Sequence, residues 1–201
     1  MDLFMDAGQG NLLPCDGIVH YHGPVFSFLE GQRIFDSLFQ TIAWQSDELV
    51  MFGKHIVTAR KVAWYGDAGM SYTYSGSTKQ PLAWTAELLQ LKAISEKLAG
   101  AEFNSCLLNL YHHGGEGMGW HSDNEKSLGH EPCIASLSFG AERKFSLKHK
   151  RTGQGISIVL ENGSLLVMKD STQANWQHSI PKSKKILAPR INLTFRSIRV
   201  S

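Results

Sequence analysis

His121-Ser122-Asp123, with His178 further along the chain, offers two imidazoles and one carboxylate to a single metal ion. Such a set suits non-haem iron(II), because three protein ligands on one side leave the other positions open for a cosubstrate and dioxygen. Zinc competes for the same atoms, although the chain shows no fourth ligand at zinc-site spacing and no HExxH helix. HxD is a short motif, and in a chain with nine histidines its occurrence alone leaves the metal open.

A second set lies in Arg190-Ile-Asn-Leu-Thr-Phe-Arg196. Alternate residues of a strand face alternate sides, so Arg190, Asn192, Thr194 and Arg196 share one face and Ile191, Leu193 and Phe195 the other. Two inward guanidiniums are costly unless carboxylates neutralise them. A small dicarboxylate gripped at both ends would do so, and arginine provides the bidentate fork. In Leu108-Asn109-Leu110-Tyr111 the same period puts Asn109 and Tyr111 on one face, adding an amide and a phenol. Ordinary polar residues bonded to the backbone would show the same pattern.

The elements that must position these groups follow from periodicity. Residues 1–28 read as irregular, with scattered Gly and Pro. Residues 29–44 predict a helix, with Ile34, Phe35, Leu38, Phe39 and Ile42 forming an apolar stripe. Thr85 is a predicted N-cap for a second helix running to Leu98, with Leu88, Leu91 and Leu98 inward and Gly100 as its stop. Beyond Gly100 the pattern changes to short β segments: 103–111, 134–139, 144–149, 156–160, 164–168, 177–180 and 190–196, separated by turn residues. Many short strands at this pitch predict a sandwich or jelly roll, and helices followed by strands predict an α+β class with helices buttressing a sheet.

The chain has 201 residues, 42% apolar and 19% charged, which fits one ordinary globular domain and excludes general disorder. No apolar run approaches the length of a membrane span, so no membrane partner is expected. The N-terminus lacks the basic lead and apolar block of a secretion signal. Cys15, Cys106 and Cys133 form no CxxC pair and are expected to be reduced thiols. The net charge of +2 hides an asymmetry. Residues 1–60 carry seven acids against three bases, net −4, whereas residues 171–201 carry six bases and no acid, net +6. With a further cluster at Arg143, Lys144, Lys148, Lys150 and Arg151, this permits a polyanionic partner, although a solvated basic face would look the same.

Together Asn109-x-Tyr111, His121-x-Asp123, Ser136-Leu-Ser-Phe-Gly140, Gly163-Ser-Leu-Leu, His178-Ser-Ile-Pro181 and Arg190-x5-Arg196 resemble the AlkB family of iron(II)- and 2-oxoglutarate-dependent oxidative dealkylases, over about residues 50–198. The likeness is to the members acting on double-stranded DNA. It implies a double-stranded β-helix (jelly-roll) core in a single domain: extension and helix over 1–48, a nucleotide-recognition lid over 49–80, and a catalytic core over 81–201. His121, Asp123 and His178 would hold iron(II), and Asn109, Tyr111, Arg190, Thr194 and Arg196 would cradle 2-oxoglutarate, with dioxygen as the oxidant. Arg190 would meet the distal carboxylate and Arg196 would lie nearer the metal.

The resemblance also assigns a substrate side. In the stretch 51–76, Tyr74 would stack on a flipped base opposite His121, Tyr72 would line the same pocket, and Phe52 would fill the gap in the duplex. Gly53, Lys54 and Arg60 would lie along the backbone, and Trp64 and Tyr65 would either contact nucleic acid or pack on the barrel. Glu125, beside Asn124, would favour a cationic alkylated base. Asn124 stands where an acid is common in the family and Gln177 where an aromatic is common. The expected activity is removal of N-alkyl groups, as in 1-methyladenine and 3-methylcytosine, with base flipping and formaldehyde release. The basic segments 143–151 and 182–185 would contact phosphates. The alternatives are an RNA or protein demethylase of the same chemistry, or a binding module without turnover. A monomer is expected, in the cytoplasm of a bacterium or the nucleus of a eukaryote.

Overall fold

The computed structural model describes residues 10–51, 54–70, 72–74 and 77–199. In chain order the elements are β1 (Ile18–Pro24), α1 (Phe28–Thr41), β2 (Gln45–Met51), β3 (Lys54–Gly66), β4 (Tyr72–Tyr74) and β5 (Ser77–Lys79). Then come α2 (Ala86–Ala99), β6 (Ser105–Tyr111), β7 (Met118–His121), a 3-10 turn at Lys126–Leu128, β8 (Ile134–Gly140), β9 (Arg143–His149) and β10 (Gly155–Leu160). The chain ends in β11 (Ser164–Lys169), α3 (Thr172–Asn175), β12 (Trp176–Ile180) and β13 (Arg190–Arg196).

A seven-stranded sheet in the order β1-β11-β8-β13-β6-β3-β2 and a four-stranded sheet in the order β10-β9-β12-β7 form the jelly-roll core, and β4 pairs with β5 as a separate hairpin. The larger sheet sorts its side chains by alternation. On β13, Ile191, Leu193 and Phe195 join Cys106, Leu108 and Leu110 of β6 and Leu137 and Phe139 of β8 in one buried cluster. The helices cover that face with Phe35, Leu38 and Ile42 of α1 and its C-cap, and Leu88, Leu91 and Ala99 of α2. A second cluster lies between the sheets, where Val19, Ile134, Leu166 and Met168 meet Phe145, Leu147, Leu160, Trp176 and Ile180. The second face of β6 and β13 is left for polar residues, and it points at the smaller sheet.

Both predicted helices form, with adjusted faces. Ser27 caps α1 through a reciprocal capping box with Glu30. Phe39 is 44% exposed, so the stripe narrows to Phe35, Leu38 and Ile42, with Ile34 at its margin. On α2, Thr85 is the N-cap and Gly100 ends the helix at φ 63°, a left-handed conformation that glycine adopts freely. Leu98 is 37% exposed; small Ser95 and Ala99 complete the buried face, where the helix lies close to the sheet. All seven predicted β segments form, within two residues of the expected ends. Among the described residues six further strands lie outside that list: β2 to β5, in and next to the segment assigned to the lid, β1, which edges the larger sheet against β11, and β7, which edges the smaller one against β12.

Residues 61–66 of β3, assigned above to a lid, pair with β6 as part of the main sheet. Tyr65 is buried there, and Trp64 Nε1 donates to Ser105 Oγ at 2.7 Å, so both aromatics pack on the barrel. All three cysteines are free thiols. Among the described residues no helix is long and apolar enough to cross a membrane.

Candidate active site

The polar face of the larger sheet and the inner face of the smaller one enclose a narrow cavity of about 60 Å³. β6 contributes Asn109 and Tyr111, β13 contributes Thr194 and Arg196, β7 contributes His121, and β12 contributes His178, with Asp123 just beyond β7. A larger cavity of about 450 Å³ between residues 66–70 and 80–84 has Asp67 as its one carboxylate, bonded to the Trp84 indole, and offers no ligand set. Chemistry, not size, selects the site.

His121 and His178 face each other on one rung of the β7–β12 ladder. Their ring centroids are 4.2 Å apart, and one ligand atom each from His121, Asp123 and His178 lies within 4.8 Å of the others. His121 Nδ1–H donates to Gly119 O at 2.9 Å, which leaves Nε2 with a free lone pair for a metal. His178 is buried and stacks on Phe145 with centroids 5.4 Å apart. Burial, then the neighbouring His121, pushes its pKa down to about 4, so the imidazole is neutral and ready to ligate. Asp123 turns Oδ1 to Arg196 Nη2 at 2.9 Å and keeps Oδ2 3.9 Å from His178 Nε2.

The arginines are placed for an anionic guest. Arg190 is fully buried; Nη2 donates to Ser138 Oγ at 2.8 Å, while Nε and Nη1 find no partner among the described residues. Burial, then the like charge of Arg143, lowers its pKa to about 10 against the opposing effect of Tyr111, and the guanidinium stays charged. Arg196 Nε and Asn109 Oδ1 are likewise buried without a partner there. Unmatched donors on buried Arg190 and partly buried Arg196 are the complement of a dicarboxylate, and the His–Asp–His set is the complement of a divalent ion. The residues fit iron(II) and 2-oxoglutarate.

Three comparisons with known proteins agree. The family described as the 2OG-Fe(II) oxygenase superfamily matches residues 17–196. The mouse DNA oxidative demethylase ALKBH2 is 39% identical over 197 residues, which cover 92% of this chain and 80% of the mouse protein. The chain belongs to the AlkB family. The bovine alpha-ketoglutarate-dependent dioxygenase alkB homolog 3 is 40% identical over 179 residues, 84% of this chain and 62% of that protein, so the chain spans less than two thirds of that relative. "The structure of OsALKBH1" superposes with a TM-score of 0.61 at 15% identity, covering 94% of this chain and 99% of that one, which is a likeness of fold. As an AlkB-family member the chain is an iron(II)- and 2-oxoglutarate-dependent dioxygenase.

Of the residues singled out in the sequence, His121, Asp123, His178, Asn109, Tyr111, Thr194 and Arg196 of this AlkB-family chain line one cavity. Arg190 stands behind them, its guanidinium 5.6 Å from the Tyr111 ring centroid. Arg60 reaches the same region, with Nη1 on Met118 Sδ at 2.9 Å. Asn124 and Glu125 are exposed just past Asp123. Phe52 and Gly53 lie outside the described residues, and for Lys54, Tyr72 and Tyr74 the backbone strand alone is described.

One reading needs correction. Arg143 was grouped with phosphate-contacting residues, yet it is 1% exposed and its Nη2 donates to Glu116 O at 2.7 Å and Pro181 O at 3.1 Å. It is an internal clamp, because a guanidinium at the start of β9 can satisfy the carbonyls of two loops at once. Lys144, Arg151, Lys182, Lys184 and Lys185 are exposed, as a phosphate-contacting role requires, whereas Lys150 Nζ donates to Gln173 O at 2.8 Å. Ser136, whose Oγ accepts from Asn192 Nδ2 at 2.9 Å, also lines the cavity. Alternation along β8 and β13 was the signal for both.

Proposed function

We propose that this enzyme is an oxidative dealkylase of nucleic acid that removes N-alkyl groups from damaged DNA bases. The observation that carries this reading is the His121–Asp123–His178 group set against arginines that keep buried donor nitrogens without a partner among the described residues, in a chain 39% identical to a DNA oxidative demethylase over most of both lengths. Iron(II) with 2-oxoglutarate and dioxygen supplies the oxidation of an N-methyl carbon, ending in formaldehyde and the restored base. His121, Asp123 and His178 would hold the metal. Arg190, Arg196, Asn109, Tyr111 and Thr194 would orient the cosubstrate, and the two-sheet enclosure would exclude water.

A base in a duplex cannot enter a cavity between two sheets, so the target nucleotide must turn out of the stack, which is cheapest for a lesion that cannot pair. Glu125 would favour the cationic 1-methyladenine or 3-methylcytosine over neutral bases, and the exposed lysines would follow phosphates. Tyr72, Tyr74, Phe52, Gly53, Lys54 and Arg60 belong to this proposal as the base- and backbone-contacting side.

The test is anaerobic loading with iron(II) and 2-oxoglutarate, then oxygen, against methylated DNA and RNA oligomers. Formaldehyde and restored bases from DNA are expected, and Asp123→Ala should abolish both. Consumption of 2-oxoglutarate with no methyl loss from any oligomer would refute the substrate assignment.

A further inference from the structure

Asp123 sits two residues past the last rung of β7, where His121 pairs with His178. Off the ladder, its backbone N–H has no strand partner, although the residue is only 4% exposed. Gln173 supplies the acceptor: Oε1 takes the Asp123 N–H at 2.9 Å. Gln173 is itself 2% exposed and belongs to α3, which runs directly into β12 and so to His178.

Gln173 is held at its backbone as well as at its side chain. Its backbone carbonyl accepts from Lys150 Nζ at 2.8 Å, and its Nε2 faces Met168 Sδ at 3.4 Å. A thioether is a weak acceptor, so the NH2 group is poorly served. A leucine would fill this place without that cost; the amide is useful there for the Asp123 N–H, which would otherwise be buried and unpaired. A second link runs in parallel, from Ser122 Oγ to Trp176 O at 2.8 Å. Against these links, Arg196 draws on Asp123 Oδ1 from the other side.

We infer that Gln173 is a positioning residue for the Asp123 ligand. It ties the loop carrying that carboxylate to the segment carrying His178 and so sets how tightly the metal is held. The inference rests on the ligand assignment made above. Outer hydrogen bonds of this kind are typically worth about 10- to 100-fold in metal affinity.

The test uses the whole chain, freed of metal, titrated with manganese(II) as a redox-inert probe and read from the electron paramagnetic resonance of the free ion. Gln173→Leu is expected to weaken manganese binding by about 10- to 100-fold while the unfolding midpoint of the metal-free protein stays close to the parent's. Gln173→Asn withdraws the amide by one methylene and should weaken binding in the same way, which covers the case of a Leu variant that does not fold. Gln173→Glu keeps an acceptor at the same reach and should recover most of the loss. Parental affinity in the Leu or Asn variant, or a Glu variant no better than Leu, would overturn the inference. A parent chain that takes up no manganese would instead overturn the His121–Asp123–His178 assignment itself.

Discussion

Arg190 is a buried cation behind the cavity-lining Tyr111, with one side-chain hydrogen bond, to Ser138, and two nitrogens unmatched among the described residues. In the proposed function its charge would be balanced by the cosubstrate. Arg190→Met should raise the Michaelis constant for 2-oxoglutarate by about 30- to 100-fold, the loss of a charge-assisted hydrogen-bond pair, with a smaller effect on turnover at saturation. Succinate formation at varied 2-oxoglutarate measures this, and an unchanged constant would remove the arginine from the cosubstrate. At this scale the sequence was informative wherever strand alternation applied. Arg190, Asn192, Thr194 and Arg196 share a face because a seven-residue strand permits nothing else, and Asn109 and Tyr111 follow by the same rule. Arg143 misled because charge pattern does not report depth: its partners, the carbonyls of Glu116 and Pro181, come from distant loops. Gln173 carried no signal at all, since a glutamine before a strand is unremarkable until its Oε1 is found on the Asp123 amide.

The elements differ in how well local pattern encoded them. α1 and α2 were legible from caps and stripes, and their stability should follow those features. Ser27→Ala removes the Oγ half of the capping box, keeping the backbone N–H to Glu30 Oε2, and should lower unfolding free energy by about 1 kcal/mol, seen as an earlier denaturant midpoint with unchanged slope. Leu91→Ala, at a 2% exposed position, should cost about 2–5 kcal/mol. Leu98→Ala, at 37% exposure, should cost well under half of that in the same experiment. β1 escaped because His20, Tyr21, His22 and Gly23 show no apolar alternation, and its partner β11 lies far along the chain. β7 escaped because Met118-Gly-Trp-His121 is too short to show a period.

β1 also brings a pH dependence. Burial, then His20 and Lys169, holds the His22 imidazole below its ordinary value of 6.5. Such a group binds more protons unfolded than folded, so it removes stability as pH falls through 6.5 and none above it. His22→Gln should therefore lose less of its urea midpoint than the parent between neutral and mildly acidic buffer; an identical loss in both would show that the ring does not titrate with folding.

Over the whole molecule, charge and cavity are segregated. Exposed bases of the β9–β10 turn and of the segment after β12 flank the smaller sheet, while the cavity opens between the two sheets. If these bases meet phosphates, oligonucleotide affinity should fall linearly in log–log form with salt, with a slope of about 0.9 per phosphate contacted on duplex DNA. Lys184→Gln with Lys185→Gln should then reduce the slope by about 2 while leaving the 2-oxoglutarate constant in place. A slope unchanged by the double variant would move the contact elsewhere.

The pairing of His121 with His178 on a single rung has a consequence for assembly. Side chains of a strand change face with every residue, so a slip of one position between β7 and β12 would turn one imidazole outward and leave the ion with half its nitrogen donors. Occupancy by the ion would thus discriminate the correct hydrogen-bonding phase of this edge strand from its neighbours, and a loaded chain would be one whose β7–β12 seam has been zipped in step.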